Sequence, residues 1–313
     1  MLDILVITAP IYLCIFTGWL FTRIGLFRRS DMDTLGAFVM NVALPALVFL
    51  SIARRPLGEV ANPTYLLGYA VTSVVLLVTA YLWARRINRT PRAAAAFDAM
   101  GSGGANSGYV GFPVLVVVMP SVAGIVFGMN VLVESLLTVP LALFWAERGE
   151  DASSLVRSIR RSVASMLRMP VFIGLLAGIA ASALSLPLPA VVATSFDLFG
   201  RASTGLALFA VGGMLVGLTL RGNVARIIAV TVAKLAVMPA VAWASVVGLM
   251  ALGMPRLEGE LFAAIILSAA MPSWTSLVVF SSRYGERDVP AAVLLATTAL
   301  SFFTLSALLG VLL

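Results

Sequence analysis

The sequence contains no histidine and a single cysteine, Cys14, in 313 residues. Without histidine there is no Ser–His dyad and no imidazole to bind a metal. One cysteine closes no internal disulfide and forms no cysteine metal cluster. No cofactor or metal is expected. Charge is also scarce: Asp, Glu, Lys and Arg make up 11% of the chain, against about 25% in a soluble globular domain. What fills the space is apolar. Hydrophobic residues reach 61% and the mean hydropathy is +1.05. A soluble core cannot hide that much apolar surface. The composition therefore describes an integral membrane protein and excludes a soluble enzyme, a nucleic-acid binder and a disordered chain. The net charge of +7 bears on topology, because basic residues mark one side of a bilayer.

A hydrocarbon core takes about 20 apolar residues as a helix. That ruler gives ten spans near 4–22, 32–52, 64–84, 93–119, 121–147, 169–186, 197–220, 225–250, 259–281 and 289–312. The runs lack the strict alternation of barrel strands. The fold class expected is an all-α polytopic membrane protein. Of the 21 basic residues, sixteen fall in alternate loops, near 23–29, 85–92, 148–168, 221–226 and 283–287. Arg54, Arg55 and Arg256 lie on the other side, and Arg201 and Lys234 lie within spans. The bias predicts an inner-membrane protein with both termini outside. Arginines follow the first span and none precedes it, so that span reads as a retained helix. The polar segment 148–168 reads as a solvated cytoplasmic linker, with a short surface helix held by anionic lipid in its later part as the alternative. It separates a first five-helix half (1–147) from a second (169–313). Five spans, an odd number, invert the second half, which is the layout of inverted-repeat transporters.

Two spans are interrupted. The fourth carries Gly101, Gly103, Gly104, Gly108 and Gly111 among Ser102, Asn106 and Ser107, then Pro113. The ninth carries Pro272, followed by Ser273, Trp274, Thr275 and Ser276. Glycine and proline both oppose a continuous helix. In lipid the freed backbone groups must be satisfied by protein or a wet cavity. Each break stands fourth in its half, and matched breaks point to a transport site. Helix ends at mid-membrane offer unpaired N–H groups and a positive dipole end, which suits an anion. Ser102, Asn106, Ser107, Ser273, Thr275 and Ser276 can add donors, and Trp274 a stacking surface. Gly and Ser also serve close helix packing. The pairing of the two breaks is what favours a site.

Charges inside the membrane are costly and point to function. Asp197 and Arg201, four apart, read as a local pair. Glu134 or Asp98 could carry a coupling proton. Equally, Glu134 could form a fixed ion pair with Lys234. Sodium is less favoured as coupling ion, since no carboxylate adjoins Pro272. Glu258 and Glu260 lie too near that helix's end.

These same residues carry a family resemblance. The stretch MNVALPALVFLSI, with Asn41 and Pro45, resembles the Asn-x-x-x-Pro of the auxin efflux carrier family, which includes bacterial malonate-type permeases. ANSGYVGFPV, with Asn106, Gly108, Gly111 and Pro113, is similar to that family's Asn-x-Gly-x-x-Gly-x-Pro. LFGRASTGLALFAVGGML and SAAMPSWTSLVVFSSRYG, the latter with Pro272 and Tyr284–Gly285, match two further patterns in order. The resemblance implies two inverted five-helix repeats, with helices 4 and 9 crossing at mid-membrane in a mobile transport domain. It further implies a scaffold that forms a homodimer, and elevator-like movement of small carboxylates. Asn41, Gly108 and Pro272 join the expected substrate-binding set by this route, and Gly104, Pro113 and Pro272 mark the expected breaks. Trp274 departs from the small or amide residue expected there, and the central loop is far shorter than in plant carriers. Auxin specificity is therefore not carried over. The expectation is a secondary transporter of small organic anions in a lipid membrane, not an enzyme. The alternative is a cation/proton antiporter or sodium-coupled symporter on the same architecture. An intramembrane hydrolase, suggested by Gly101-Ser102-Gly103-Gly104, lacks a histidine or a second aspartate.

Overall fold

The computed structural model describes residues 2–55, 62–147 and 152–312. Every regular element among them is helical. In chain order they are α1 (Leu2–Arg23), α2 (Arg29–Ala53), α3 (Pro63–Arg86), α4 (Arg92–Gly103), α5 (Phe112–Val118), α6 (Ala123–Ala146) and α7 (Ala152–Met166). They continue with α8 (Pro170–Ala183), α9 (Ala190–Met214), α10 (Val224–Ala251), α11 (Gly259–Ala270), α12 (Ser276–Ser282) and α13 (Asp288–Leu312). Among the described residues α2, α3, α6, α10 and α13 are long and apolar enough to cross a bilayer.

Four π-helical turns occur among the described residues, each ending two residues before a proline. Val39–Ala43 precedes Pro45, Ser107–Gly111 precedes Pro113, Glu134–Thr138 precedes Pro140, and Ala233–Val237 precedes Pro239. The cause is steric. A proline has no N–H, and its ring collides with the carbonyl four residues back. A π turn widens the ladder by one residue and clears that carbonyl. Accordingly, the N–H just before the proline donates five residues back: Leu44 to Val39, Val139 to Glu134, and Met238 to Ala233. Asn41, Ser107, Gly108, Gly111, Glu134 and Lys234, all singled out by the sequence, lie in these turns.

One element differs from the sequence reading. The seventh span was expected at 197–220, whereas α9 covers Ala190–Met214. Its start is set by Pro189, whose extended ψ of 135° suits an N-cap. The polar Thr194, Ser195 and Asp197 hide that start from a hydropathy ruler. Its end is followed by Gly217 and Gly222, both at positive φ. In the central segment, for which a solvated linker or a short surface helix is expected, α7 is a helix of 15 residues. Val156, Ile159, Val163 and Met166 recur at helical spacing, with Arg157, Arg160 and Arg161 between them. Residues 148–151, with Arg148, lie outside the described residues.

The chain divides into two compact units. Unit 1 comprises Met1–Asn62, Ser107–Met129 and Ser165–Val216. Here α9 packs along α1 and α2, and α8 along α2. Small residues let the backbones approach. A Cβ on Gly18 would strike the carbonyl of Phe209, and one on Gly212 the carbonyl of Ile15. Edge-to-face ring pairs, Phe27–Phe209 at 5.3 Å and Phe49–Phe196 at 5.3 Å, line the α9 seam. Without a hydrophobic drive between helices in lipid, such close packing is what holds them together.

Unit 2 comprises Pro63–Asn106, Asn130–Ala164 and Gly217–Leu313. Its core joins Phe97 and Met100 of α4, Ala142 of α6, Val230 of α10, Leu277 of α12 and Val293 of α13, all buried. Helix α3 packs on α4, α10 and α11, and α13 packs on α10, α11 and α12. This unit holds both α4 and the whole α11–α12 segment.

Candidate functional site around the two broken helices

Helix α4 stops at Gly103, and α11 stops at Ala270. Gly104 is extended, at φ −108° and ψ 142°, after its N–H closes the last turn on Met100 O at 3.0 Å. Met271 is extended, at φ −62° and ψ 150°. Proline at the next position disfavours the helical region there.

The two breaks satisfy each other. Asn106 N donates to Pro272 O at 2.8 Å. Ser273 Oγ donates to Gly101 O at 2.7 Å, a carbonyl left over at the end of α4. Ser273 N, which would bond Ala269 O in an unbroken helix, donates instead to Thr297 Oγ1 of α13 at 3.2 Å. The vacated Ala269 carbonyl receives the ammonium of Lys234, at 3.1 Å. Irregular backbone at membrane depth needs such partners, since lipid offers none.

Trp274 closes the arrangement. Its ring lies over Gly104, where a Cβ would stand 3.2 Å from Cε2 and 2.9 Å from Met100 O. Any larger residue at 104 must displace the ring. The Trp274 Nε1 is buried with no acceptor among the described residues. A buried indole N–H normally finds a partner.

Two charged groups border the α11 break. Lys234, fully buried, also lies 2.8 Å from Met238 Sδ. Glu134 accepts from Tyr69 OH at 3.0 Å and is electrostatically coupled to Lys234. Beside them Tyr65 OH donates to Asn130 Oδ1 at 2.9 Å, and Asn130 Nδ2 donates to Ser268 Oγ at 3.0 Å. This network ties α3 and α6 to the last turn of α11.

Asp98 is engaged differently. Its carboxylate receives Arg226 Nε at 2.8 Å and Nη2 at 2.9 Å, a bidentate pair. Arg226 also contacts Glu286 at 3.5 Å, and its side chain is only 10% exposed. Outside the spans, Tyr284 OH donates to Glu147 Oε1 at 3.3 Å, which also pairs with Arg161 at 3.3 Å. Partial burial and the nearby Glu147 carboxylate raise the Tyr284 phenol above its usual range.

Of the expected site residues, unit 2 thus gathers Ser102, Gly104, Asn106, Pro272, Ser273, Trp274, Thr275 and Ser276, with Asp98, Glu134 and Lys234. Ser102 spends its hydroxyl on Asp98 O, at 2.8 Å. Thr275 and Ser276 open α12, which has only seven residues. Asn41, Ser107, Gly108 and Pro113 belong to unit 1. There Asn41 Nδ2 donates to Ala37 O at 2.7 Å. Gly108 faces Met40 Sδ, 3.3 Å from where a Cβ would stand. Pro113 follows a π turn and lies beyond the open stretch at 104–106. No group of three His, Cys, Asp or Glu side chains converges among the described residues.

The sequence reading missed four contributors. Arg226 was counted with the loop arginines. Thr297, Tyr65 and Tyr69 lie within apolar spans. The spacing of Tyr65 and Tyr69, four apart on one helix face, was the available signal.

Among the described residues the chain is thus a set of helices with two breaks that satisfy each other. The family model for "Membrane transport protein" matches residues 3–309, and the chain belongs to this family, the auxin efflux carrier family. It is 26% identical to a protein of Rhizobium meliloti (strain 1021) named "Putative malonate transporter", over 99% of this chain and 96% of that one. It is 25% identical to the "Uncharacterized transporter YfdV" of Escherichia coli (strain K12), over 94% of this chain and 92% of the relative. A Methanothermobacter thermautotrophicus protein named "Uncharacterized transporter" is 31% identical over 31% of this chain and 32% of its own.

Proposed function

We propose that the protein is a secondary active transporter of small organic anions, carboxylates above all, which it binds where the breaks of the fourth and ninth spans cross. The observation that carries this reading is the indole N–H of Trp274, buried at the junction without an acceptor among the described residues. A carboxylate is the natural acceptor for such a donor, and the bond is a charge-assisted one. The ring face beside Gly104 suits the carbon skeleton of the substrate. A relative named for malonate supports the same substrate class.

The remaining architecture follows the family pattern: ten spans in two inverted five-helix repeats (1–147 and 169–313), joined by a cytoplasmic segment. Unit 2 carries the break residues and the buried charges, and moves as the transport body in an elevator cycle. Unit 1 is the frame and the homodimer surface. The protein lies in the cytoplasmic membrane with both termini outside. A proton carried by Glu134 is the coupling ion, with Tyr69 and Lys234 setting its surroundings. The bidentate engagement of Asp98 by Arg226 favours this reading over a cation/proton antiporter, which would need Asp98 free to load a cation.

The test is uptake and binding of labelled malonate and succinate in proteoliposomes. Trp274→Phe keeps the ring and removes the N–H. Its loss of affinity should be at least about tenfold, the worth of one hydrogen bond to a charged group. Asn106→Ala should weaken binding as well. Wild-type affinity in Trp274→Phe removes the indole from the site.

A further inference from the structure

Unit 1 contains a cavity of about 930 Å³ that the central site does not use. It is walled by the last turn of α2, the turn between α5 and α6, and the middle of α9. Its volume lies within the range of small-molecule pockets, roughly 300–1,000 Å³. Three guanidinium groups line it: Arg54, Arg55 and Arg201. Among the described residues one carboxylate, Asp197, lines it with them.

These arginines are placed rather than free to wander. Arg55 donates from Nη2 to the carbonyl of Ser121, and the hydroxyl of Ser182 donates to the carbonyl of Arg55. Arg201 Nε is held by Asp197 Oδ2 at 2.7 Å. Arg54 has no hydrogen bond or ion pair to a described residue. Among the described residues the lining thus sets three guanidinium groups against one carboxylate, over a floor of Leu47, Leu50 and Val116. An apolar floor weakens water's screening of those charges.

The placement is also unexpected for a membrane protein. Arg54 and Arg55 are two of the three loop arginines on the sparsely charged side of the chain. Topology disfavours arginine on that side. Two of the three nevertheless line this one cavity, together with Arg201 from α9.

We propose that this cavity is a second anion site, which takes a small oxyanion, a carboxylate or a phosphate, between Arg54 and Arg201. The guanidinium fork matches either group through two parallel hydrogen bonds. Arg55 and the hydroxyls of Ser51 and Thr204 complete the donor set. Two guanidinium groups, Arg54 and Arg201, suit the two ends of a short dicarboxylate. The same chemistry is offered by the phosphate of an anionic lipid. The site depends only on unit 1 and stands whether or not the breaks bind substrate.

The experiment is arginine modification by phenylglyoxal, read by peptide mass spectrometry on the full chain in lipid nanodiscs. Arg256, with a side chain 84% exposed, is the internal control. In neutral phosphatidylcholine discs, saturating malonate should slow labelling of Arg54 by at least about fivefold while Arg256 is unchanged. Arg201→Gln should raise the malonate concentration needed by about tenfold. Trp274→Phe should leave the protection intact. Protection in phosphatidylglycerol discs without malonate, and none from malonate in neutral discs, would assign the site to a lipid headgroup. Equal labelling of Arg54 in all three arms, or equal protection of Arg256, overturns the proposal. The malonate and lipid arms are read on the wild-type chain, so a variant that fails to fold does not decide them.

Discussion

Breaking the Asp98–Arg226 pair from its two ends should give unequal losses. Arg226→Gln leaves Asp98 buried without its two charge-assisted bonds, and it also strips Glu286 of its guanidinium contact. Removing one partner of a buried pair costs about 3–5 kcal/mol. Asp98→Asn is milder. Arg226 then keeps Glu286 at 3.5 Å and the carbonyl of Ala94 at 3.4 Å. Loss of one hydrogen-bonded partner there costs about 1–3 kcal/mol. The double variant Asp98→Asn/Arg226→Gln should recover part of the loss, because no uncompensated charge remains on Asp98. Read as thermal stability in detergent, Arg226→Gln should fall by roughly 10 °C and Asp98→Asn by roughly half of that. Size-exclusion of heated samples reports both. If Asp98→Asn is the more damaging of the two, or the double variant loses the full sum, the pair is not the coupled unit described here.

Thr297→Val removes the acceptor of the Ser273 N–H and should destabilise by about 1–3 kcal/mol, while Thr298→Val, whose hydroxyl bonds only its own helix, should cost less. Thermal midpoints of the two variants decide this. Gly18→Val forces a side chain onto the Phe209 carbonyl and should cost about 1–3 kcal/mol or more, seen as loss of folded protein after detergent extraction. If Glu134 carries the coupling proton, malonate uptake by Glu134→Gln should vary less than about twofold between acid and neutral pH, where the wild type declines as the proton supply falls. A wild-type pH profile in that variant assigns Glu134 to packing alone.

Much of the helical architecture was legible because lipid imposes it. Apolar runs of the right length can only be helices there, and glycine or proline marks where they stop. Hence the ends of α4 and α11 lie in stretches that their residue types single out. Arg226 was illegible for a different reason. At the start of a span it reads as a topology marker, and only its partner 128 residues away gives it another role. Thr297 was hidden likewise, since a threonine inside an apolar helix usually bonds its own backbone. Thr297 does that too, donating to Val293 O at 2.7 Å while accepting from Ser273 N. The extent of α9 was misjudged because hydropathy measures membrane depth, whereas Pro189 sets where the coil begins.

The π turns carry a consequence for how each helix meets its surroundings. One extra residue per turn rotates everything downstream by about 100°. Helices α2, α6 and α10 therefore each display two stripes, offset by more than a quarter of a circumference, with the proline just past the seam. A stripe that packs on protein ahead of the turn need not continue behind it. One rod can thus serve two unlike neighbours along its length. Deleting a single residue within 39–43, 134–138 or 233–237 would bring the stripes back into line and turn the wrong face toward one of them.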